Sequence, residues 1–458
     1  MSSELAECLE TFRRWLYLPD VGHVCVALAT VAANRGSGDP VWTVFVAGPS
    51  GGKTEVIVAF DSQPDVHLAA LMTEGGLLSA TPKKERASTA SGGLLREVGD
   101  FGILALKDLG TVLSMNRDTR SALMAALREI YDGGWVRHVG TDGGRTLEWT
   151  GKLGLIAGCT SAIDTHSAVM AALGERFLLY RLPDPDERQQ GRQALAQAGH
   201  ESAMREELGA AVDLVLGAVD LNLLGAPPSV GDADRLVDLA SLAVRCRSAV
   251  ERDSYSREVE LVHAREAPGR LAKVLLQLLR ALRAIGVDEA TAWALTAKCG
   301  MDCIPPTRLQ ALRALVEGGE RDTAGLASEL GYPTNTLRRS LEDLAAHGVV
   351  GRTKTGNRDL WNATDWAREL WPAGVPEISA VPEKSAKVCK GPFSSPYTST
   401  DFSGTHFNRS GLAQVPAGTA PQPFADVPAD VAAGTEPPAD YLPMEALEQG
   451  SEPEEVEA

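Results

Sequence analysis

Between Val41 and Leu182, short runs of apolar, β-prone residues recur at intervals filled by stretches of helical spacing. That alternation predicts a parallel sheet with helices over its faces. The strand candidates are Thr43–Ala47, His67–Met72, Gly102–Lys107, Leu153–Gly158 and Phe177–Leu182. Ahead of them, Leu5 to Leu16 places apolar residues along one helical face, and Val21 to Ala33 predicts a second helix that stops at Asn-Arg-Gly-Ser-Gly-Asp-Pro. Behind them, helical periodicity dominates from Asp184 to Val287, most clearly in "GRLAKVLLQLLRALRAIG", Gly269 to Gly286.

The pattern changes again at Pro305. Thr307 to Glu317 reads as a helix, Thr323 as the cap of a second one that Gly331 ends, and Pro333 as the entry to a third, with Leu337, Leu341 and Leu344 on one face. Two short strands then flank the turn Lys354-Thr355-Gly356-Asn357. The expected organisation is residues 1–40 as N-terminal helices, 41–185 as an α/β core, 186–304 as a helical region, 305–370 as a small unit, and 371–458 as a tail.

Charge matters mainly through its distribution. The 458 residues carry a formal −17, but Trp371 to Ala458 holds 13 acidic and 4 basic residues, so this tail supplies −9 and the body −8. The tail is rich in Pro, Ala, Gly, Ser and Thr and poor in large apolar residues, a composition expected to stay disordered. The net charge therefore does not exclude nucleic acid as a partner of the body. Cys8, Cys25, Cys159, Cys246, Cys299, Cys303 and Cys389 form no disulfide framework. Cys299 and Cys303 could be half of a metal site, but no second pair stands at ligand spacing, so no structural zinc is expected. No apolar run approaches the roughly 18 residues of a membrane span, and no basic-then-apolar leader opens the chain, so a cytoplasmic protein without a membrane partner is expected.

The first chemistry lies in "VWTVFVAGPSGGKTEVIVAF", residues 41–60. Ala47, Gly48, Pro49, Ser50, Gly51, Gly52, Lys53 and Thr54 fit the Walker A pattern, with Ala where Gly is usual at the first position. Small residues let backbone N–H groups curl around phosphates, the lysine reaches the β and γ oxygens, and the threonine hydroxyl ligates Mg²⁺. The strand before and the helix after supply the required context. A P-loop ATPase also needs an acid at a neighbouring strand end, and "FGILALKDLG" offers Asp108. The usual Asp-Glu pair is absent: with Asp108 as metal ligand, Leu109 takes the base position, and with Asp108 as base, Lys107 replaces the metal ligand.

The block from Asp108 to His166 resembles the centre of AAA+ ATPases of the clade with a hairpin before the first sensor strand, to which minichromosome-maintenance helicases and related phage and plasmid ATPases belong. The Walker B strand is followed by a helix (Asn116 to Tyr131), the hairpin "WVRHVGTDGGRTLEW" turning at Asp142-Gly143-Gly144, and an apolar strand ending in Thr160, the sensor position. Two β-prone runs around a Gly-rich turn predict the hairpin independently. The resemblance implies a three-layer sandwich with a helical lid and ATP with Mg²⁺ as cofactors. It also implies Arg176 of "GERFLLYRL" as an arginine finger acting on a neighbouring subunit in a homo-oligomeric ring, and Arg270 as a second sensor reaching the γ-phosphate of its own subunit.

The segment 305–370 is similar to winged helix-turn-helix domains, which implies DNA contacts from Thr334, Asn335, Thr336, Arg338 and Arg339 in the groove and from Arg352, Lys354 and Arg358 in the wing. Together these features lead us to expect a DNA-associated ATPase, helicase-like, of a phage, plasmid or mobile-element replication system. In it the hairpin's Arg137, His138 and Arg145 would touch DNA. The alternative is a nucleotide-switched DNA-binding regulator or initiator with little turnover.

Overall fold

The computed structural model describes residues 1–70, 72–79, 81, 92–140, 144–166, 176–356 and 358–372, all within one compact unit. The turn residues Asp142 and Gly143, the segment just before Arg176, Asn357 of the wing turn and the tail from residue 373 onward lie outside the described residues.

The centre is a five-stranded parallel sheet of β1 (Trp42–Val46), β2 (Val66–Ala69), β3 (Phe101–Leu106), β6 (Lys152–Cys159) and β7 (Phe177–Arg181), in the order β2-β3-β6-β1-β7. A hairpin, β4 (Gly134–Val139) with β5 (Arg145–Thr150), is inserted before β6. The strands lie within a residue or two of the expected positions at their starts, because strands buried on both faces read as continuous apolar runs. Side chains divide between two cores by strand alternation. Val41 and Phe45 enter one core with the helix Gly22–Arg35, whereas Trp42, Val44 and Val46 enter the other with the helix Arg117–Tyr131. The helix Gly22–Arg35 is buried along nearly its whole length, as a helix apolar all round must be. Its polar residues Thr30 and Asn34 are satisfied locally. The Thr30 and Thr43 hydroxyls share a bond at 2.8 Å, while the Asn34 amide donates to the Val41 carbonyl at 2.8 Å and accepts the Val41 N–H at 2.9 Å.

Residues 186–304 are helical apart from one feature the periodicity did not signal, a short hairpin of β8 (Val250–Arg252) and β9 (Val259–Val262). Its one cue was the alternation Val259-Glu260-Leu261 after the polar turn Asp253-Ser254-Tyr255-Ser256. The helices Gly269–Ala284 and Glu289–Asp302 pack on the helix Gly22–Arg35 and on β7. The C-terminal segment contains the helices Pro306–Gly318, Thr323–Glu329 and Thr334–Ala346 and a three-stranded antiparallel sheet of β10 (Arg321–Asp322), β11 (Val350–Thr355) and β12 (Arg358–Ala363), ordered β10-β12-β11. Leu337, Leu341 and Leu344 are buried as expected, and Gly331 adopts φ +67° after the helix it ends. The cap is a correction. Asp322, not Thr323, accepts the N–H of Gly325, and the Thr323 hydroxyl instead accepts the Trp361 indole N–H at 2.8 Å. Among the described residues no helix is long and apolar enough to cross a membrane.

Candidate functional site

Parallel strands leave their carboxyl ends at one edge of the sheet, where open α/β sheets bind ligands. Here β6 runs between β1 and β3, and Val46 pairs with Cys159. The Ala47 N–H donates to the Cys159 carbonyl at 3.2 Å, and the Leu109 N–H donates to the Gly158 carbonyl at 2.7 Å. These bonds bring the starts of the phosphate-loop candidate, Thr160 and Asp108 to adjacent strand ends. Gly158 has no room for a side chain, since a Cβ there would stand 2.7 Å from the Lys107 carbonyl oxygen.

Within the loop, Gly52 takes φ +80° and Ser50 φ +60°, and the helix Lys53–Val58 follows at once. Lys53 is buried, and its Nζ donates to the carbonyls of Ala47 at 2.9 Å and Gly48 at 2.7 Å. Burial pulls its ammonium below the usual lysine range, against the opposing charge of Asp108. The same surroundings push the Cys159 thiol up to about 11, burial first and Asp108 next. Thr54 and Asp108 are exposed. Asp108 Oδ1 accepts the Gly110 N–H at 2.8 Å, leaving Oδ2 for a cation. Leu109 turns fully into the core, so neither a carboxylate nor a competing side chain stands beside Asp108 from that position. Thr160 begins a tight turn in which its hydroxyl accepts the Ala162 N–H at 3.4 Å.

The loop keeps a space that a phosphate group would need. A Cβ on Gly51 would lie 3.0 Å from the Ala47 Cβ, 3.1 Å from the Gly48 carbonyl oxygen and 3.9 Å from Lys53 Nζ, filling the space inside the loop. The loop opens into a cleft of about 450 Å³ with Trp15, Leu16 and Tyr17 on one wall and Glu187, Gln190 and Gly191 on the other. Gln190 Nε2 donates to the Ser50 carbonyl at 2.6 Å. Sequence reasoning missed these walls, because nothing in the order of residues links 15–17 or 187–191 to the loop. No group of three or more His, Cys, Asp or Glu side chains suited to a metal occurs among the described residues. A Mg²⁺ on Thr54 and Asp108 would therefore take further oxygens from phosphate and water. Cys299 and Cys303 are both buried, and the Cys303 thiol donates to the Cys299 carbonyl at 3.1 Å.

No family model matches the sequence, and no curated protein matches it.

Two arginines expected at a phosphate site, Arg176 at a neighbouring subunit's and Arg270 at its own, stand at the opposite edge of the sheet. Arg176 precedes Phe177, which pairs with Trp42 at the amino end of β1, a whole strand from Lys53, about 15 Å at roughly 3.3 Å per residue. It is buried, ion-paired to Asp132 at 2.6 Å and stacked 5.2 Å from the Tyr131 ring centre. Arg270 is at that same edge, which corrects its expected contact with the phosphate of its own subunit. It lines a cleft of about 590 Å³ with Asp39, Tyr131, Lys152 and Lys273. The helix Gly269–Ala284 is directed there by packing on the helix Gly22–Arg35.

The hairpin also differs from expectation. Register pairs Arg137 with Leu147 and Val139 with Arg145, so both arginines share the inward face with Trp135, Leu147 and Trp149. Arg137 donates to Glu74 at 2.9 Å and to the Leu78 carbonyl at 2.7 Å. His138 faces outward and meets the Thr146 hydroxyl at 3.1 Å. Strand alternation forbids Arg137 and His138 from pointing to one ligand.

On the C-terminal segment, Thr334, Asn335, Thr336, Arg338, Arg339, Arg352, Lys354 and Arg358 are all exposed. Arg352 is not a free cation. It grips Asp359 with two bonds of 3.0 and 2.8 Å and holds that carboxyl below the usual range. The far end of the helix Thr334–Ala346 is pinned by Arg252, which reaches Glu342 at 2.9 Å and the Arg339 carbonyl at 2.9 Å.

Proposed function

We propose that this protein is an ATP-binding, ATP-hydrolysing, DNA-associated protein of AAA+ type, acting as a helicase-like motor or remodeller in a phage, plasmid or mobile-element replication system. The observation that carries the reading is the meeting of Lys53, Asp108 and Thr160 at three adjacent strand ends around a loop whose buried lysine donates to two backbone carbonyls. Lys53 and the loop N–H groups would hold the β- and γ-phosphates, and Thr54 with Asp108 would hold Mg²⁺. The bound nucleotide supplies a transferable phosphoryl group. Thr160 stands where a hydroxyl would orient the attacking water, and the walls at Trp15–Tyr17 and Gln190 would shelter the rest of the nucleotide.

The cleft at the amino edge supports assembly. Arg176 and Arg270, with Lys152, lie too far from Lys53 to serve the same molecule's site, but they stand on a surface that a neighbouring subunit's phosphates could meet in a ring. Presenting Arg176 requires its pair with Asp132 to open. The winged-helix reading of residues 305–370 is supported by the exposure of every proposed contact on the first turns of Thr334–Ala346 and on the wing. DNA is assigned to this segment and to outward His138, not to the inward Arg137 and Arg145.

A nucleotide-switched regulator is favoured by one observation, the burial of Leu109, which leaves Asp108 without a second acid from its own turn. Steady-state ATP hydrolysis with and without single- and double-stranded DNA separates the two. DNA-stimulated turnover lost in Lys53→Ala and Asp108→Asn supports the motor, and tight ATP binding without turnover supports the switch.

A further inference from the structure

Arg181 ends β7 beside the phosphate loop. Its backbone pairs with Val46, the last strand residue before the loop, and the N–H of the next residue, Leu182, donates to the Val46 carbonyl at 2.9 Å. Its side chain leaves the sheet edge in two directions. The fork donates from Nη1 and Nη2 to the two Asp164 oxygens at 2.9 and 2.7 Å, and Asp164 sits in the turn Ser161–His166 that Thr160 opens. Nε donates to the Asp302 carbonyl at 3.1 Å, and the Arg181 N–H donates to Asp302 Oδ2 at 2.7 Å. Lys298 completes the cluster, with Nζ on Asp302 Oδ2 at 2.7 Å and on the Arg181 carbonyl at 2.8 Å. Asp302 is fully buried.

Asp302 is the last residue of its helix, and the helix Pro306–Gly318 starts four residues on. That helix grips the exposed helix Thr334–Ala346. Ser340 and Thr307 share a hydroxyl bond at 3.1 Å, and Arg308 pairs with Asp343 at 2.8 Å. A continuous set of contacts thus runs from the Thr160 turn through Arg181 to the helix that carries Arg338 and Arg339. Tyr332 lies two residues before that helix and is partly buried. Burial raises its phenol above the usual range, with the charge of Asp164 adding to the shift and that of Arg181 opposing it.

We propose that Arg181 is a positioning residue through which occupancy of the phosphate site and the affinity of the helix Thr334–Ala346 for DNA are coupled. This rests on the ATP and DNA reading above. Thr160 accepts the Ala162 N–H on its hydroxyl oxygen and keeps its hydroxyl proton for a phosphate, so donation to a phosphate would pull on the turn that holds Asp164. A bidentate pair does not separate cheaply when its guanidinium is mostly buried, because that guanidinium would be left charged and short of a partner. The guanidinium therefore follows Asp164. It draws on Asp302 through the Nε bond to that residue's carbonyl and shifts the root of the C-terminal helices.

The test measures Kd for a fluorescently labelled DNA duplex of mixed sequence, without nucleotide and with a saturating non-hydrolysable ATP analogue, on the full chain. Kd for the analogue is measured alone. In the wild type the analogue should change DNA affinity by about fivefold or more, a usual size for coupled sites. Asp164→Asn, nearly the same shape, and Arg181→Lys, which keeps the charge but not the fork, should bring that ratio to within about twofold of unity while each Kd alone moves far less. A merely structural role would weaken both ligands and leave the ratio where it was. Retention of the wild-type ratio in folded variants, or a wild type that binds both ligands with no linkage, overturns the proposal. A wild type that binds no ATP analogue instead removes the functional reading beneath it.

Discussion

Lys53 and Gly48 are joined within the phosphate loop itself: the buried ammonium donates to the glycine carbonyl at 2.7 Å. The lysine is thereby held at the floor of the loop, and under the proposed function a phosphate entering there would replace two backbone carbonyls as its partners.

Lys53→Ala should lower affinity for a fluorescent ATP analogue by about tenfold to a hundredfold, the worth of a charge-assisted hydrogen bond. Chelating Mg²⁺ should weaken binding to the wild type but much less to Asp108→Asn, where the metal's protein ligand is already blunted. Titration calorimetry with and without chelator reads both, and equal Mg²⁺ dependence in the two proteins would take Asp108 out of the metal site.

Gly154→Ala should destabilise the fold by about 1–3 kcal/mol, because its Cβ would lie 2.5 to 2.8 Å from the Asn34 amide atoms in a packed core. Asn34→Ala alone should also destabilise, by stripping the Val41 N–H and carbonyl of their partner. Because both act on one contact, the double variant should cost less than the two added together. Urea unfolding curves measure all three, and strict additivity would contradict the contact.

Arg137→Ala should loosen the hairpin, raising protease sensitivity near Glu74 and Leu78, with little change in DNA affinity. Arg338→Ala and Arg339→Ala should do the reverse. Each should weaken DNA binding and reduce the salt slope by about one, the signature of a lost phosphate contact. Fluorescence anisotropy across a salt series distinguishes them.

Equal mixing of Lys53→Ala and Arg176→Ala, each inactive alone, should restore part of the ATP turnover, since an intact loop in one subunit would meet an intact arginine from the next. No recovery in a mixture that still assembles would confine Arg176 to its pair with Asp132.

His23 is buried against the Phe45 ring, and burial lowers its pKa to about 4, although Asp20 opposes the shift. A base depressed in the folded state takes up its proton more readily when unfolded. Stability is therefore full above about pH 6.5 and falls as the pH drops toward about 4, by up to about 3 kcal/mol. His23→Gln should flatten that part of the pH–stability curve measured by urea titration.

The linear order of residues by itself determined the sheet and its carboxyl edge. β1 and β6 read as strands because they are apolar on both faces, and Lys53 and Thr54 stood out because a strand, a glycine-rich turn and a helix adjoin within one short segment. The helix Thr334–Ala346 was equally legible, since Leu337, Leu341 and Leu344 repeat at helical spacing and leave Arg338 and Arg339 outside. Even the inward aim of Arg137 was available from strand alternation, once Trp135 is taken as facing the core.

Packing between distant segments decided the rest. Only the docking of Gly269–Ala284 on Gly22–Arg35 sends Arg270 to the amino edge with Arg176. Only the fold brings Trp15 and Gln190 to the phosphate loop, or Asp164, Arg181 and Asp302 to one cluster. Local periodicity records which face of an element is apolar. It carries no record of which other element covers that face, and that pairing placed the second cleft and the Arg181 junction.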